Sequence, residues 1–569
     1  MAAEPHAVPA LPEGSIQPSV AEIREACSKD GASFTAAAVF CEVMADMETP
    51  LSAFLKVRRG SYSFLLESVE GAERVARYSF IGTEPDEVIR IGAGLDAEGD
   101  PMTVLEAKLA VQRLLPAKGV PLPPFRGGAV GYVSYDAVRH FEPRVAARIE
   151  AQKDPLPVPE AVFMMTSSML VFDRARHSIK VVAHCPVPQG GASESDEAWA
   201  AAYASAGARI AELVARLAAP VPAGSGCRTR VVSPSLIAPP KATEGSLESA
   251  AAAGGSTAAS AKSASMDYAA WESRSNVGRE GYEGFVRSLK ESIVAGDIIQ
   301  AVPSQRMRHD LAPGVTAVDL YRQLRRTNPS PYMFLLELGD DGTGSAGLDS
   351  AAQGGPGGLS VVGASPEMLC KVTSDGEVET HPIAGTRRRG RTPEEDEAMA
   401  RDLLGDPKER AEHIMLVDLG RNDCGRVCAP GSVKVERLMG IERYSHVMHI
   451  VSRVTGRLAE GRTALDAFRS IFPAGTVSGA PKISAIDLVA SLEPERRYVY
   501  AGAVGFWSFD GALDTAIAIR TLFVSGGSAY LQAGGGIVHD SDPASEYIET
   551  INKLAASMKA VDTAVAAAT

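Results

Sequence analysis

Apolar and polar positions alternate along this chain with two periods, and the periods divide it into elements. GYEGFVRSLKESIVAG (281–296) places apolar residues three and four apart and stops at Gly296, which predicts an amphipathic helix closed by a glycine. AVDLYRQLRRTN (317–328) predicts a second helix, ended by Asn328-Pro329. In 393–423 acids come early, as a helix N-terminus prefers, and Asp406-Pro407 splits the run into two helices. Asp542 and Pro543 open a last helix as N-cap and first helical residue. β-rich runs fall elsewhere. SYSFLLESVEG (61–71) predicts a strand entering a turn, and IIQAVPSQRM (298–307) a strand. AVFMMTSSMLVFDRARHSIKVVAHC (161–185) predicts two β runs joined by a polar turn, a hairpin. The stretch 497–538 predicts three strands with glycine-rich turns. Glycines at 127, 128 and 131 point to close backbone approach or a bulge.

Two stretches carry no period. KATEGSLESAAAAGGSTAASAKSASM (241–266) is nearly all Ala, Ser and Gly, too poor in apolar surface to offset its ordering entropy, and is expected to be a flexible linker. Residues 340–358 are expected to be an expanded hairpin loop between YMFLLEL and LSVVGAS. The expected organisation is a disordered lead (1–32), an N-terminal region (33–236), a low-complexity linker (237–272) and a C-terminal catalytic domain (273–563). No repeat of 20–50 residues is visible.

Composition narrows the class. Over 569 residues, 45% hydrophobic and 22% charged fit a large globular core, and a net charge of -13 disfavours nucleic acid or an anionic membrane as partner. Seven scattered cysteines argue against a disulfide framework. No apolar run reaches membrane-spanning length, and the N-terminus has neither basic nor apolar signal regions. The expected location is the cytoplasm.

The candidate chemistry lies in the C-terminal half. Glu409 with Glu412, and Glu546 with Glu549, each stand three apart, so each pair shares a helix face. Singly, such a pair reads as a solvated face; two pairs facing each other would make a hard-oxygen site suited to Mg²⁺. AGGGIV (533–538) offers backbone N–H groups free of side chains, able to wrap an anion or merely to turn. Arg520 stands in the apolar run DTAIAIRTLFV, where a guanidinium must snorkel or meet an anion. Tyr500 is a candidate hydroxyl donor, and His446 or His449 a candidate acid or base. Together these parts fit a small, multiply anionic substrate without naming a reaction.

The motifs GASPE (363–367), PIAGTRRRG (382–390), EHIMLVDLGRND (412–423), HVMHIVSRVTG (446–456), FPAGTVSGAPK (472–482), AGAVGF (501–506), AIAIRTL (516–522) and AGGGIV resemble, in order and spacing, those of the chorismate-utilising enzymes. The resemblance covers about 276–560 and extends through FLLES (64–68) and 125–136 into the N-terminal half. Within the family the chain is most similar to the large subunits of anthranilate synthases. That resemblance implies an α+β fold of two large packed β-sheets with surrounding helices. It implies conversion of chorismate and ammonia to anthranilate and pyruvate with Mg²⁺, in tryptophan biosynthesis. Glu412 and Glu549 would hold the metal, with Glu409 and Glu546 in support. Gly385, Thr386, Tyr500, Arg520, Gly534, Gly535 and Gly536 would hold chorismate. Glu367 would protonate the departing C4 hydroxyl, and His449 would assist loss of the C2 proton and pyruvate.

Two residues separate branches of the family. Aminodeoxychorismate synthases, the alternative reading, carry a nucleophilic lysine where this chain has Ala384, and the water-adding members carry a lysine base where it has Gln300. With no amine at either place, ammonia is the expected nucleophile. Arg387 to Arg389 are expected to be a mostly solvated patch. The resemblance also implies feedback inhibition by tryptophan at Ser68, Pro331, Tyr332 and Met333. It implies a separate glutamine amidotransferase subunit as ammonia source, in a heterotetramer.

Overall fold

The computed structural model describes residues 11–12, 14–29, 34–69, 77–116, 123–222, 272–340, 358–444 and 447–568. The expected linker 241–266, nearly all of the 340–358 loop, and His446 lie outside them. The expected disordered lead is structured in its second half. Val20–Lys29 is a helix that buries Ile23, and Ile16–Gln17 pairs with Phe40 and Cys41 of the next strand.

Among the described residues the strands form two large sheets, of eleven and ten strands, and a small two-stranded one that pairs Gln300–Ala301 with Gly479–Ala480, with every ladder antiparallel. Both large sheets mix the two halves of the chain. Tyr62–Glu67 pairs with Tyr332–Asp340 in the first, and Gly128–Val133 pairs with Ala503–Ser508 in the second. The N- and C-terminal stretches are thus consecutive in sequence but share both sheets. Between the sheets lies an aromatic-rich layer that includes Phe64, Phe80, Phe125, Tyr132, Phe334, Phe506 and Phe523. Phe125 stacks on Phe506 with centroids 4.5 Å apart. Burying one such ring contributes about 1.5–3 kcal/mol, so this layer is a main source of cohesion. Alternate residues of the same strands face outward. Leu65 and Leu335 meet the helices over the first sheet, and Ala129 and Val133 join the core over the second. Strands buried on both faces read as continuous apolar runs, which is why alternation is weak in this sequence. Among the described residues, no helix is long and apolar enough to cross a membrane.

Several runs that read as one strand are two. AVFMMTSSMLVFD breaks at Ser167: Ala161–Thr166 belongs to the second sheet and Ser168–Asp173 to the first, so the hairpin comprises Ser168–Asp173 and Ser178–Pro186 only. DTAIAIRTLFV breaks at 518–520, with Leu513–Ile517 in the second sheet and Thr521–Ser525 in the first, so 497–538 holds four strands. Gly358–Ser365 passes through Pro366 and Glu367 into Met368–Val372 in the same way. IIQAVPSQRM divides into Gln300–Ala301 and Ser304–Asp310, because Pro303 has no N–H to give a ladder. The helices follow the sequence. Asp406 caps Pro407–Gly425 by accepting from Lys408 N at 2.9 Å, and Gly296, at φ 87°, ends Gly278–Ala295.

The second sheet sets a stability test. A Cβ on Gly131 would lie 1.8 Å from the Val162 carbonyl oxygen on the neighbouring strand, a backbone atom with no rotamer to yield. Gly131→Ala is expected to lower the unfolding free energy by about 3 kcal/mol, read from chemical denaturation.

Candidate functional site

Two of the crossings between sheets lie side by side, and they assemble half of the site. Ile517 N donates to Glu367 O at 3.0 Å, and Ala364 N donates to Arg520 O at 3.2 Å. A third segment joins them: Ala501 N donates to Ala518 O at 3.0 Å, and Ala518 N to Gly502 O at 2.8 Å. Glu367, Arg520 and Tyr500 therefore come from three stretches bound through their backbones. The geometry is strained. Six non-glycine residues have positive φ among those described, and Tyr498, Ala501 and Arg520 are three of them. Arg520 is thus not a strand residue; it sits at the break, where its φ of 51° turns the chain between sheets. No carboxylate pairs with it among the described residues, and burial pulls its guanidinium below the usual arginine value, so an anion is the natural partner. Beneath Tyr500 the fully buried Arg497 is bidentate to Glu493 and donates to Val477 O at 3.0 Å and Val302 O at 2.6 Å.

Glu367 is buried and accepts one hydrogen bond, from Thr476 Oγ1 at 3.0 Å. Desolvation raises its carboxyl to about 8, so it carries its proton at neutral pH. His449 behaves oppositely: burial, and next the charge of Arg520, lower its imidazole, while the Gly385 carbonyl raises it. Its Nδ1 lies 2.9 Å from Gly385 O, an atom that only accepts, so Nδ1 holds the proton and Nε2 is left as a base. Thr386 Oγ1 also meets Nδ1, at 3.1 Å, and Thr386 pairs with His449 across the strands Ile383–Arg388 and Val447–Arg457. Gly385 has φ 70°, and a Cβ there would stand 3.0 Å from Glu409 Oε2. Ala384 is buried and adjoins it.

The arginine block is not the solvated patch expected from the sequence. Arg387 donates to Asp402 and Asp406 at 2.8 Å each and to Glu409 at 3.1 Å. Arg388 pairs with Glu395, and Arg389 with Asp396 and the Tyr444 carbonyl. Three adjacent cations are tolerated because the following helix, Pro393–Gly405, and the start of the next present matching acids.

The two carboxylate pairs face each other across the crevice. Glu412 and Glu546 are held above the usual carboxylate range, first by burial; neighbouring Glu409 and Glu549 add to the rise at Glu412, and Glu549 to that at Glu546. Gln300 Nε2 donates to Glu412 Oε1 at 3.3 Å, while its own Oε1 is buried without a partner among the described residues. The glycine loop closes this side. A Cβ on Gly535 would stand 3.1 Å from Glu546 Oε2, and one on Gly536 would stand 2.1 Å from Gln300 Nε2. One on Gly534 would meet Pro303 O at 2.4 Å and the Tyr500 hydroxyl at 3.1 Å. The Gly535 N–H is already taken by the Tyr282 hydroxyl, at 3.1 Å, so the anion-wrapping capacity of the loop is smaller than the glycine triplet alone implies. Among the described residues no three acidic, imidazole or thiol groups converge as a metal cluster. The donors are nonetheless hard oxygens with mutual repulsion, which suits a divalent hard cation.

Ser68 and Pro331, Tyr332 and Met333 also meet. Met333 pairs with Glu67 across strands, Val69 N donates to Ser330 O at 3.3 Å, and Ser68 Oγ is buried without a hydrogen-bond partner among the described residues. Tyr332 reaches away to Asp514 at 3.1 Å. Sequence reasoning missed Tyr282, Thr476 and Lys553. Tyr282 carries no local signal, since its contact lies 253 positions away. Thr476 lies inside FPAGTVSGAPK, and Lys553 stands four residues after Glu549, the spacing of a helical ion pair.

Comparison with known proteins agrees with this geometry. The family of chorismate binding enzymes matches residues 61–559. Anthranilate synthase component 1 of Streptomyces coelicolor is 44% identical over 530 residues, covering 93% of this chain and 89% of the relative. That of Saccharomyces cerevisiae is 41% identical over 519 residues, covering 90% and 89%. The crystal structure of anthranilate synthase component I from Streptococcus pneumoniae superposes with a TM-score of 0.64 at 31% identity, over 90% of this chain and 99% of that one. The menaquinone-specific isochorismate synthase of Escherichia coli, at 15% identity and TM-score 0.60, shares the fold. With its matched residues running through both sheets and every crossing that builds the crevice, the chain belongs to the chorismate binding enzyme family, among the anthranilate synthase component 1 proteins.

Proposed function

We propose that this chain converts chorismate and ammonia to anthranilate and pyruvate. The observation that carries the reading is a buried carboxyl, Glu367, held by one hydrogen bond from Thr476, in the same crevice as a half-buried imidazole, His449, whose Nδ1 is turned to the Gly385 carbonyl and whose Nε2 is left as a base. Arg520, Tyr500 and the glycine loop provide the anion seat for the substrate carboxylates, and Gly385 and Thr386 the opposite wall. Ammonia adds at C2 while Glu367 donates its proton to the C4 hydroxyl, which leaves as water, and the ammonium formed at C2 sheds one proton. His449 Nε2 then takes the C2 proton, the C3–O bond breaks as the ring aromatises, and the departing enolpyruvate takes up a proton to become pyruvate. Ala384 and Gln300 support ammonia as the nucleophile, since neither offers an amine or a base of its own. Glu412 and Glu549 would hold Mg²⁺, assisted by Glu409 and Glu546. The metal, when bound, neutralises the ring carboxylate beside these acids and draws electron density from the reacting ring.

Two further parts belong to the same reading. A separate glutamine amidotransferase subunit supplies the ammonia, in a heterotetramer. Tryptophan binds beside Ser68, Pro331, Tyr332 and Met333 and favours an inactive state; the buried, unpartnered Ser68 hydroxyl is the group that would meet it.

The purified chain is expected to generate anthranilate fluorescence from chorismate with Mg²⁺ and an ammonium salt, and none when EDTA is added or glutamine replaces ammonium. Consumption of chorismate without anthranilate would defeat the reading. The pH dependence has a definite sign. The Glu367 proton is needed and is lost near pH 8, so the catalytic rate falls above that value; His449, lowered by burial, takes no part in that alkaline fall. Glu367→Gln is expected to lower kcat by about 10²–10⁴-fold, with chorismate binding retained in equilibrium titration. Saturating tryptophan is expected to suppress the rate, and Ser68→Phe to abolish that suppression while ammonia-dependent turnover persists. Inhibition curves that coincide for the two proteins would remove tryptophan from this site.

A further inference from the structure

The opposed carboxylate pairs each carry a cation, and the two are anchored differently. Arg387, beside Glu409, is also held by Asp402 and Asp406. Its charge is matched whether or not Glu409 stays with it. Lys553 binds one carboxylate, Glu549 Oε1 at 2.7 Å, and donates to one carbonyl, Gly534 O at 2.9 Å. Its side chain is 37% exposed, so the flexible stem can carry the ammonium back to water at little cost. One mobile ammonium therefore holds both an acid of the site and the first glycine of the loop.

We propose that Lys553 competes with the divalent cation for the Glu549 carboxylate and, of the two cations hydrogen-bonded to these acids, Arg387 and Lys553, is the one that yields to it. The inference rests on the Mg²⁺ reading given above. A metal bound by Glu412 and Glu549 would share the Glu549 carboxylate that Lys553 holds, and its double charge a few ångströms from the ammonium repels the lysine more strongly than the single carboxylate charge attracts it. Arg387, tied to three acids, stays in place. Lys553 then retains only its bond to Gly534, so metal entry and the setting of the glycine loop become linked through one side chain. It is a positioning residue, acting on the metal through Glu549 and on the loop through Gly534.

Metal affinity tests this directly. Mn²⁺ would be titrated into the full chain, with the free ion followed by its EPR signal, and Mg²⁺ affinity obtained by displacement. Lys553→Met is expected to bind both ions about tenfold more tightly than the parent. Lys553→Arg, which keeps the charge, is expected to bind no more tightly than the parent. Metal affinity unchanged or weakened in Lys553→Met, with the parent binding normally, would overturn the competition while leaving the metal reading intact. A folded parent that retains no metal at millimolar concentration would overturn both.

Discussion

Four backbone hydrogen bonds between crossing segments are the constraint on which the site depends. Ile517 N to Glu367 O and Ala364 N to Arg520 O lock two chain crossings together, and Ala501 and Gly502 bind the Tyr500 turn to Ala518 between them. Each crossing exists because a continuous apolar run is shared by two sheets. Where the run leaves one sheet for the other, its backbone groups lose their ladder partners and must pair locally. The pairs they form put an acid, an arginine and a tyrosine in one crevice. Left-handed φ at Tyr498, Ala501 and Arg520 is the conformational cost of that arrangement. The buried Arg497–Glu493 pair offsets part of it by holding the Val302 and Val477 carbonyls from below.

Dryness then decides the chemistry. Desolvation raises the Glu367 carboxyl and lowers the His449 imidazole, so one crevice shifts the two groups in opposite directions, each toward its uncharged form. The acids of the opposite wall lie nearer solvent and remain close together only with positive charge beside them. Arg387 supplies it in a fixed form and Lys553 in a mobile one. The arginine block, conspicuous as a string of three, is spent on helix-borne acids and leaves Arg520 as the crevice cation without a protein carboxylate among the described residues.

The N-terminal half takes part through strand pairing. Tyr332 pairs with Ser365, two residues before Glu367, and its hydroxyl reaches Asp514, on the strand that ends at Ile517 beside Glu367. Ser68 and Glu67 lie on the other side of the same strand. The Glu67 carboxylate is itself buried among Arg174, Arg325 and Tyr321, so this corner is rigid as well as close to the crevice.

By itself the sequence determined the helices, their caps and the carboxylate pairs, because these obey rules local to one turn: Asp406 before Pro407, Glu409 with Glu412, Glu546 with Glu549. It also determined the family, through motifs whose order survives the distance between them. The tertiary structure alone decided where apolar runs change sheets, since a residue buried on both faces looks the same in either sheet. For that reason Arg520 read as a strand residue and the 161–173 run as one strand. The structure alone decided which cations are free, because Arg387 meets Asp402 and Asp406 only once two helices fold back over its strand. It also brought Tyr282 to Gly535 and Thr476 to Glu367, contacts across 253 and 109 positions that no local pattern records.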